Sequence, residues 1–177
     1  MVSPRKSPLT SLRKDLRERL KGARRVTILG IGSRLRGDDA AGLLAAEGLA
    51  GARAGGAKQA DKSVRVTVLL GETAPENMTG PIRTSNPTHI ILIDSADFKK
   101  KPGFVRLVRA EEATGACFCT HQIPLQIMAE YLALTTQSEV LIIGIQAKSL
   151  SFGSALSPAV KKAAVGVASA LTSALFS

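Results

Sequence analysis

The sequence predicts a three-layer α/β/α fold built on a doubly wound, mostly parallel sheet of about five strands with one antiparallel edge strand. The first observation is that short apolar runs, typical of buried strands, alternate along the chain with segments of helical periodicity. The second is that 45% of the residues are hydrophobic but only 3% are aromatic. The core must therefore consist of Leu, Ile, Val and Ala, as in parallel sheets covered on both faces.

The elements follow one another from the N-terminus. An amphipathic helix is expected over residues 11–21, where Leu recurs at every fourth position. Residues 103–108 alternate in polarity after Pro102, which indicates an edge strand. Ser157 and Pro158 are expected to open the last helix as N-cap and first helical residue. The other expected strands are 25–32, 64–70, 89–94 and 140–145, and the other expected helices are 39–49 and 122–134, the latter with Pro124 in its first turn.

The net charge of +10 comes mostly from the N-terminus, because residues 1–25 hold nine Lys or Arg and two Asp or Glu. We therefore expect a basic extension over residues 1–24, either disordered or docked, and a single α/β domain over residues 25–177. The helix expected over residues 11–21 could pack on the domain or on a partner. A nucleic-acid partner is not expected, because the excess charge does not belong to the domain.

Export and membrane insertion are not expected either. No apolar stretch follows the basic N-terminal residues, and no run resembles the ~18 apolar residues that span a bilayer. Cys117 and Cys119 are separated by one residue, so a disulfide between them would be strained. The chain is expected to be cytoplasmic.

Three side chains that can bind a metal are predicted to meet at one edge of the sheet. Asp39 follows the first strand, Asp94 ends the third, and His121 stands at the start of a helix. Ligands of such sheets bind outside the carboxyl ends of the strands. Two carboxylates and an imidazole suit a divalent metal such as nickel or zinc, with open positions for a water or a scissile carbonyl.

Each of these side chains also has a structural alternative. Asp39, or better Asp38, could cap the helix that follows. Asp94 could form an Asx turn, and His121 could cap its own helix. These alternatives stay open at this point, although the three side chains together favour a functional site.

Two other patterns compete with this site. Gly30 and Gly32 follow a strand, but the third glycine falls at Gly37 and no acid ends the second strand, so no nucleotide cofactor is expected. A phosphate- or nucleotide-binding module that uses Arg34 and Arg36 stays open as an alternative. Cys117 and Cys119 could also form a soft-metal site or a nucleophile with His121, but such a zinc site would lack a fourth ligand.

Six motifs occur in order along the chain: GIGSRLRGDDAAG (30–42), GETAPEN (71–77), IDSAD (93–97), PG (102–103), THQIPL (120–125) and IGIQ (143–146). In this order they resemble the [NiFe]-hydrogenase maturation endopeptidases, especially the branch acting on formate-hydrogenlyase-type hydrogenases. The resemblance covers the chain from about residue 26 to the last helix. It departs at Ser33, where the family often has Asn, and at Leu70, where some members carry Asp.

The resemblance implies a protease that removes the C-terminal extension of a hydrogenase large-subunit precursor after nickel insertion. The family's metal-binding and catalytic positions fall on Asp39, Asp94 and His121. Contacts to the substrate are expected from Asp38, Gly71 and Thr73. The nickel is expected to arrive with the precursor, and the enzyme is expected to be a monomer. The alternative from this resemblance is a non-catalytic chaperone that binds nickel or the precursor through the same ligands.

Overall fold

The computed structural model describes residues 8–55, 64–109 and 124–176. Its sheet contains the strands β1 (Arg25–Ile31), β2 (Arg65–Glu72), β3 (His89–Ala96), β4 (Val105–Arg109) and β5 (Glu139–Gln146) in the order β2-β1-β3-β5-β4. β1, β2, β3 and β5 are parallel, and β4 pairs antiparallel with β5 at the edge. The predicted fold class and its antiparallel edge strand are confirmed.

Helices cover both faces of this sheet. α1 (Pro8–Arg19), α2 (Ala41–Ala54) and α5 (Pro158–Phe176) lie on one face, whereas α3 (Thr79–Thr84) and α4 (Leu125–Thr136) lie on the other. Within β3, Ile91 and Ile93 belong to the first core, and Ile90 and Leu92 belong to the second. Because successive side chains of a strand point to opposite faces, a strand covered twice must be apolar throughout.

α1 packs on the domain, which is one of the two alternatives that the sequence left open. Its leucine stripe lies in the same core as α5, and Arg13 donates a hydrogen bond of 3.0 Å to Ser169 of that helix. The buried leucines of this stripe are Leu12, Leu16 and Leu20. The disordered alternative is therefore not observed for residues 8–20, and residues 1–7 lie outside the described residues.

Two predicted helix starts differ from the observed ones. Pro124 has an extended ψ of 129° and precedes α4, so it is not part of the first turn. A one-turn 3₁₀ helix, Gly37–Ala40, comes before α2, and no side chain caps the 3₁₀ helix or α2. The structural alternative in which Asp38 or Asp39 caps α2 is therefore wrong. The last helix does begin at Pro158, after Ser157, as predicted.

α5 is the helix, within the described parts of the chain, that is long and apolar enough to cross a membrane by length and composition. It does not stand out in the sequence as an uninterrupted apolar run, because Lys161 and Lys162 stand near its start. Half of this stretch is buried inside the protein, on the face that packs against α1 and α2. The expected absence of membrane insertion stays a prediction.

The carboxyl ends of β1 and β3 form the topological switch point of the sheet. From β1 the chain runs to β2 on one side, and from β2 it crosses to β3 on the other side of β1. The first turn of α2 lies directly over this point. A Cβ atom on Gly42 would stand 2.2 Å from the carbonyl oxygen of Ile93 and 2.4 Å from that of Ile31. Glycine at this position thus lets α2 approach both strands where ligand sites of such folds are found.

Candidate active site

Asp39 lies at the carboxyl end of β1, on the 3₁₀ helix that leads into α2. Gly32 makes this placement possible, because its φ of 134° lies in the region that favours glycine. A Cβ atom on Gly32 would stand 1.8 Å from the carbonyl oxygen of Asp39. The Asp39 side chain is almost completely buried, with 1% of its surface exposed. The turn therefore brings a buried carboxylate to the switch point.

Asp94 lies near the end of the neighbouring strand β3, and a serine connects it to Asp39. The Ser95 backbone N–H donates a 2.7 Å hydrogen bond to Asp94 Oδ1, and the Ser95 hydroxyl donates a 3.0 Å hydrogen bond to Asp39 Oδ1. Asp94 and Ser95 are both buried. Both carboxylates therefore lie within hydrogen-bond distance of Ser95, and such oxygen donors suit a divalent cation.

Asp38 is buried beside Asp39 but points to a different part of the fold. Its Oδ2 atom accepts hydrogen bonds from the backbone N–H groups of Lys148 and Ser149 at 2.7 and 3.1 Å, and from the Ser157 hydroxyl at 3.0 Å. Its Oδ1 atom accepts a hydrogen bond of 2.6 Å from the Ser157 backbone N–H. Asp38 thus ties the loop after β5 to the start of α5, and the substrate contact expected of it stays a prediction.

The third predicted metal ligand, His121, lies outside the described residues, as do Cys117 and Cys119. Among residues 8–55, 64–109 and 124–176, no group of three His, Cys, Asp or Glu side chains is arranged to hold a metal. The structure therefore places Asp39 and Asp94 each within hydrogen-bond distance of Ser95, and the metal-binding roles of Asp39, Asp94 and His121 stay predictions.

Gly71 and Thr73 border the same edge of the sheet. Gly71 is buried in a β-bulge, because Gly30 pairs with Leu70 whereas Ile31 pairs with Glu72. The carbonyl oxygen of Glu72 then accepts a 3.0 Å hydrogen bond from Gly32 N–H. Thr73 is exposed just beyond the bulge. The bulge links the β2 end to the glycine turn of the site, and the predicted substrate contacts of Gly71 and Thr73 stay predictions.

A cavity of about 270 Å³ opens beside Ser95, between the segments that follow β3 and β5. At its rim the Lys99 ammonium group and backbone N–H donate hydrogen bonds to Asp97, which lowers the pKa of this carboxyl group to about 2. Gln146 also donates to Asp97 at 3.3 Å. A larger cavity of about 460 Å³, lined by His89, lies at the opposite edge of the sheet. Of these two cavities, the smaller one is lined by Ser95, the neighbour of Asp94.

The two arginines that a phosphate-binding module would use are engaged elsewhere. Arg34 forms a salt bridge with Glu47, which raises the pKa of Arg34, and Arg36 donates from Nε to the Leu150 carbonyl oxygen at 3.3 Å. The space beside the neighbouring glycines is occupied by the protein's own backbone. At Gly32, for example, it is occupied by the carbonyl oxygen of Asp39. This geometry does not favour a phosphate site at the glycine turn.

Comparison with known proteins connects this site to a family. Residues 56–174 match the profile of HycI, described as hydrogenase maturation protease. The hydrogenase 3 maturation protease of Escherichia coli K12 is 32% identical over 126 residues, which cover 71% of this chain and 74% of that protein. This chain belongs to the hydrogenase maturation protease family. A candidate hydrogenase maturation protease of Methanocaldococcus jannaschii is also 32% identical, over 80% of this chain and 83% of its own.

A solved structure supports the same assignment. The crystal structure of the [NiFe] hydrogenase maturation protease HycI from Thermococcus kodakarensis KOD1 aligns with a TM-score of 0.79 at 29% identity, covering 91% of this chain and 98% of that one. Hydrogenase maturation proteases are peptidases that act on hydrogenase large-subunit precursors. This chain is therefore a member of an enzyme family, and the predicted family is confirmed. The formate-hydrogenlyase branch stays a prediction.

Ser95 is the site residue that sequence reasoning missed. Ser95 stands inside the IDSAD motif, of which the sequence indicated only Asp94 as a site residue. The available signal was a hydroxyl directly after a strand-end acid. Its partner Asp39, however, is 56 positions away in the sequence, so the bridge could not be identified without the fold.

Proposed function

We propose that this chain is the endopeptidase that removes the C-terminal extension of a [NiFe]-hydrogenase large-subunit precursor after nickel insertion. Asp39, Asp94 and His121 would bind the nickel that the precursor carries. The observation that carries this proposal is the pair of buried carboxylates, Asp39 and Asp94, each within hydrogen-bond distance of Ser95 at the switch point. Family membership supports the activity, and this geometry supports the use of the two acids.

The precursor's nickel would make cleavage depend on the state of the substrate. A nickel-free precursor lacks the ion that joins it to Asp39 and Asp94, so it would bind more weakly and escape cleavage. A gate of this kind needs a contact that differs between the two states, and the metal bond supplies it. A bound divalent ion can also polarise a carbonyl group, so a nucleophilic side chain is not required.

The ligand set fits this chemistry. Carboxylate ligands are less selective for nickel than imidazole or thiolate ligands are. A site with two carboxylates can therefore bind a metal that arrives already held by another protein. We expect no nucleotide cofactor, a monomeric protein and a cytoplasmic location. We propose that its substrate is the large-subunit precursor of a formate-hydrogenlyase-type hydrogenase.

The test is the intact mass of a large-subunit precursor, nickel-loaded and nickel-free, after incubation with the enzyme. The enzyme should shorten only the loaded precursor, and Asp39→Ala, Asp94→Ala and His121→Ala should each leave it at full length. Glu18→Gln is the matched control, because Glu18 is an exposed acid on α1. This control should cleave at the rate of the unmodified enzyme.

Three outcomes would contradict the proposal. Cleavage of both precursor forms would remove the nickel gate. Binding of the loaded precursor without shortening would favour the chaperone instead. Equal cleavage by the enzyme and by Asp39→Ala would show that the buried pair is not the site.

A further inference from the structure

Two large apolar side chains are exposed on loops that border the candidate site. Leu35, after β1, is 62% exposed, and Phe152, after β5, is 78% exposed. Both loops leave the sheet at the carboxyl edge that carries Asp39 and Asp94. We refer to Leu35 and Phe152 as the apolar rim.

Hydrogen bonds between the two loops hold the apolar rim in place. Gly153 N–H donates to the Leu35 carbonyl oxygen at 2.8 Å, and Asp38 N–H donates to the Ser149 carbonyl oxygen at 3.0 Å. The Asp38 carboxylate binds the Ser149 N–H from the same side at 3.1 Å. Leu35 and Phe152 are thus exposed on loops that hydrogen bonds hold to each other. Apolar surface left in water costs about 25 cal/mol per Å², which a partner can recover on binding.

The charges beside the apolar rim indicate what surface would cover it. Arg36 and Lys148 are exposed next to Leu35 and in the loop that leads to Phe152. The nearest acid along the chain, Asp38, is buried and fully engaged in hydrogen bonds. A complementary surface is therefore apolar with acidic residues at its margin.

We propose that the apolar rim docks the folded body of the hydrogenase large-subunit precursor while its C-terminal segment enters the site. This inference rests on the proposed function. Leu35 precedes Asp39 by four positions, and the Phe152 loop is bonded to the residue next to Asp39. A protein whose peptide bond reaches Asp39 must therefore pass over these two loops. Preformed apolar contacts at such a place give affinity at a low ordering cost.

The test measures the Kd of nickel-loaded precursor for the full-length enzyme and for Leu35→Ser and Phe152→Ser, by biolayer interferometry. Each variant should bind about tenfold more weakly, as expected for an exposed anchor in an interface. Leu134→Ser is the matched control, because Leu134 is 82% exposed on α4, away from the site. Its Kd should equal that of the unmodified enzyme.

Every other outcome counts against the inference. Unchanged Kd values for both rim variants would overturn it while leaving the proposed function intact, provided that the enzyme still cleaves the precursor. Equal weakening by Leu134→Ser would mean that surface apolarity in general, and not the apolar rim, controls binding. If sedimentation shows a dimer that Phe152→Ser dissociates, the occupant is a second copy of this chain. A precursor that neither binds nor is cleaved would remove the proposed function as well.

Discussion

Replacement of Asp38 by alanine separates a structural role of this acid from a role in substrate binding. The substitution removes an acceptor for four hydrogen bonds of 2.6 to 3.1 Å, three of which come from backbone N–H groups of Lys148, Ser149 and Ser157. Each donor left without a partner in the interior costs about 1–3 kcal/mol. Because water can enter the space that the side chain leaves, we expect the free energy of unfolding to fall by about 3–5 kcal/mol in total.

The assay is urea unfolding followed by far-ultraviolet circular dichroism, with the free energy taken from the midpoint and the slope. Asp38→Ala is compared with Asp38→Asn, which keeps one oxygen for the Oδ2 donors but turns an amide group toward Ser157 N–H. We expect a loss of about 2 kcal/mol for this variant. Ser157→Ala removes only the hydroxyl that donates to Asp38 Oδ2, and we expect a loss of about 1 kcal/mol.

If Asp38→Asn unfolds within about 0.5 kcal/mol of the unmodified protein, the hydrogen bonds of Asp38 do not stabilise the fold as the geometry indicates. If the same variant also fails to cleave the precursor, the substrate contact predicted from the sequence explains the loss of activity better than the structural role does.

Three further predictions test other parts of the account. Ser95→Ala should weaken the binding of nickel-loaded precursor by about 10-fold or more, because partners that orient a metal ligand such as Asp39 typically contribute this much. Leu16→Ala should lower the free energy of unfolding by about 2–5 kcal/mol, because Leu16 is fully buried on the face of α1 that packs on the domain. The pKa of His89 is lowered, chiefly by burial, with Glu139 nearby opposing the shift. The unfolded state therefore binds more protons, so stability should fall as the pH drops through about 6.5, and His89→Asn should reduce this fall.

Each of these predictions has its own control. Ser95→Ala should leave the affinity for nickel-free precursor unchanged, and an equal loss for both precursor forms would mean a general packing defect. Leu134→Ala, at an exposed position, should change stability by less than about 0.5 kcal/mol, and a similar value for Leu16→Ala would mean that α1 does not pack as described. The pH dependence of His121→Asn accounts for the other histidine. If that variant alone flattens the profile, His89 is not responsible.

The fold was predictable because its central strands are covered on both faces. β3 and β5 appear in the sequence as continuous apolar runs, and the edge position of β4 followed from Pro102 and the alternation after it. The leucine stripe predicted α1 but not its partner. A stripe specifies that one face must be buried, and any apolar surface can bury it. Only the assembled fold shows that this surface is α5.

The positions of Asp39 and Asp94 were predictable as far as the topology determines them. Asp39 follows β1 and Asp94 lies near the end of β3, and each is within hydrogen-bond distance of Ser95. The different orientation of Asp38 was not predictable, since it depends on a 3₁₀ turn and on Ser157, which lies 119 positions further along the chain. Adjacent acids look equivalent in a sequence until a fold gives each one its own surroundings.

In the proposed function, the enzyme binds the precursor's nickel through its buried carboxylates, Asp39 and Asp94. The most direct measurement is the affinity of nickel-loaded and nickel-free precursor for the enzyme and for Asp94→Ala, by isothermal titration calorimetry. We predict that the enzyme binds the loaded form at least about tenfold more tightly, a difference of about 1.4 kcal/mol, and that Asp94→Ala binds both forms equally. A preference for the loaded form that persists unchanged in Asp94→Ala would contradict the account.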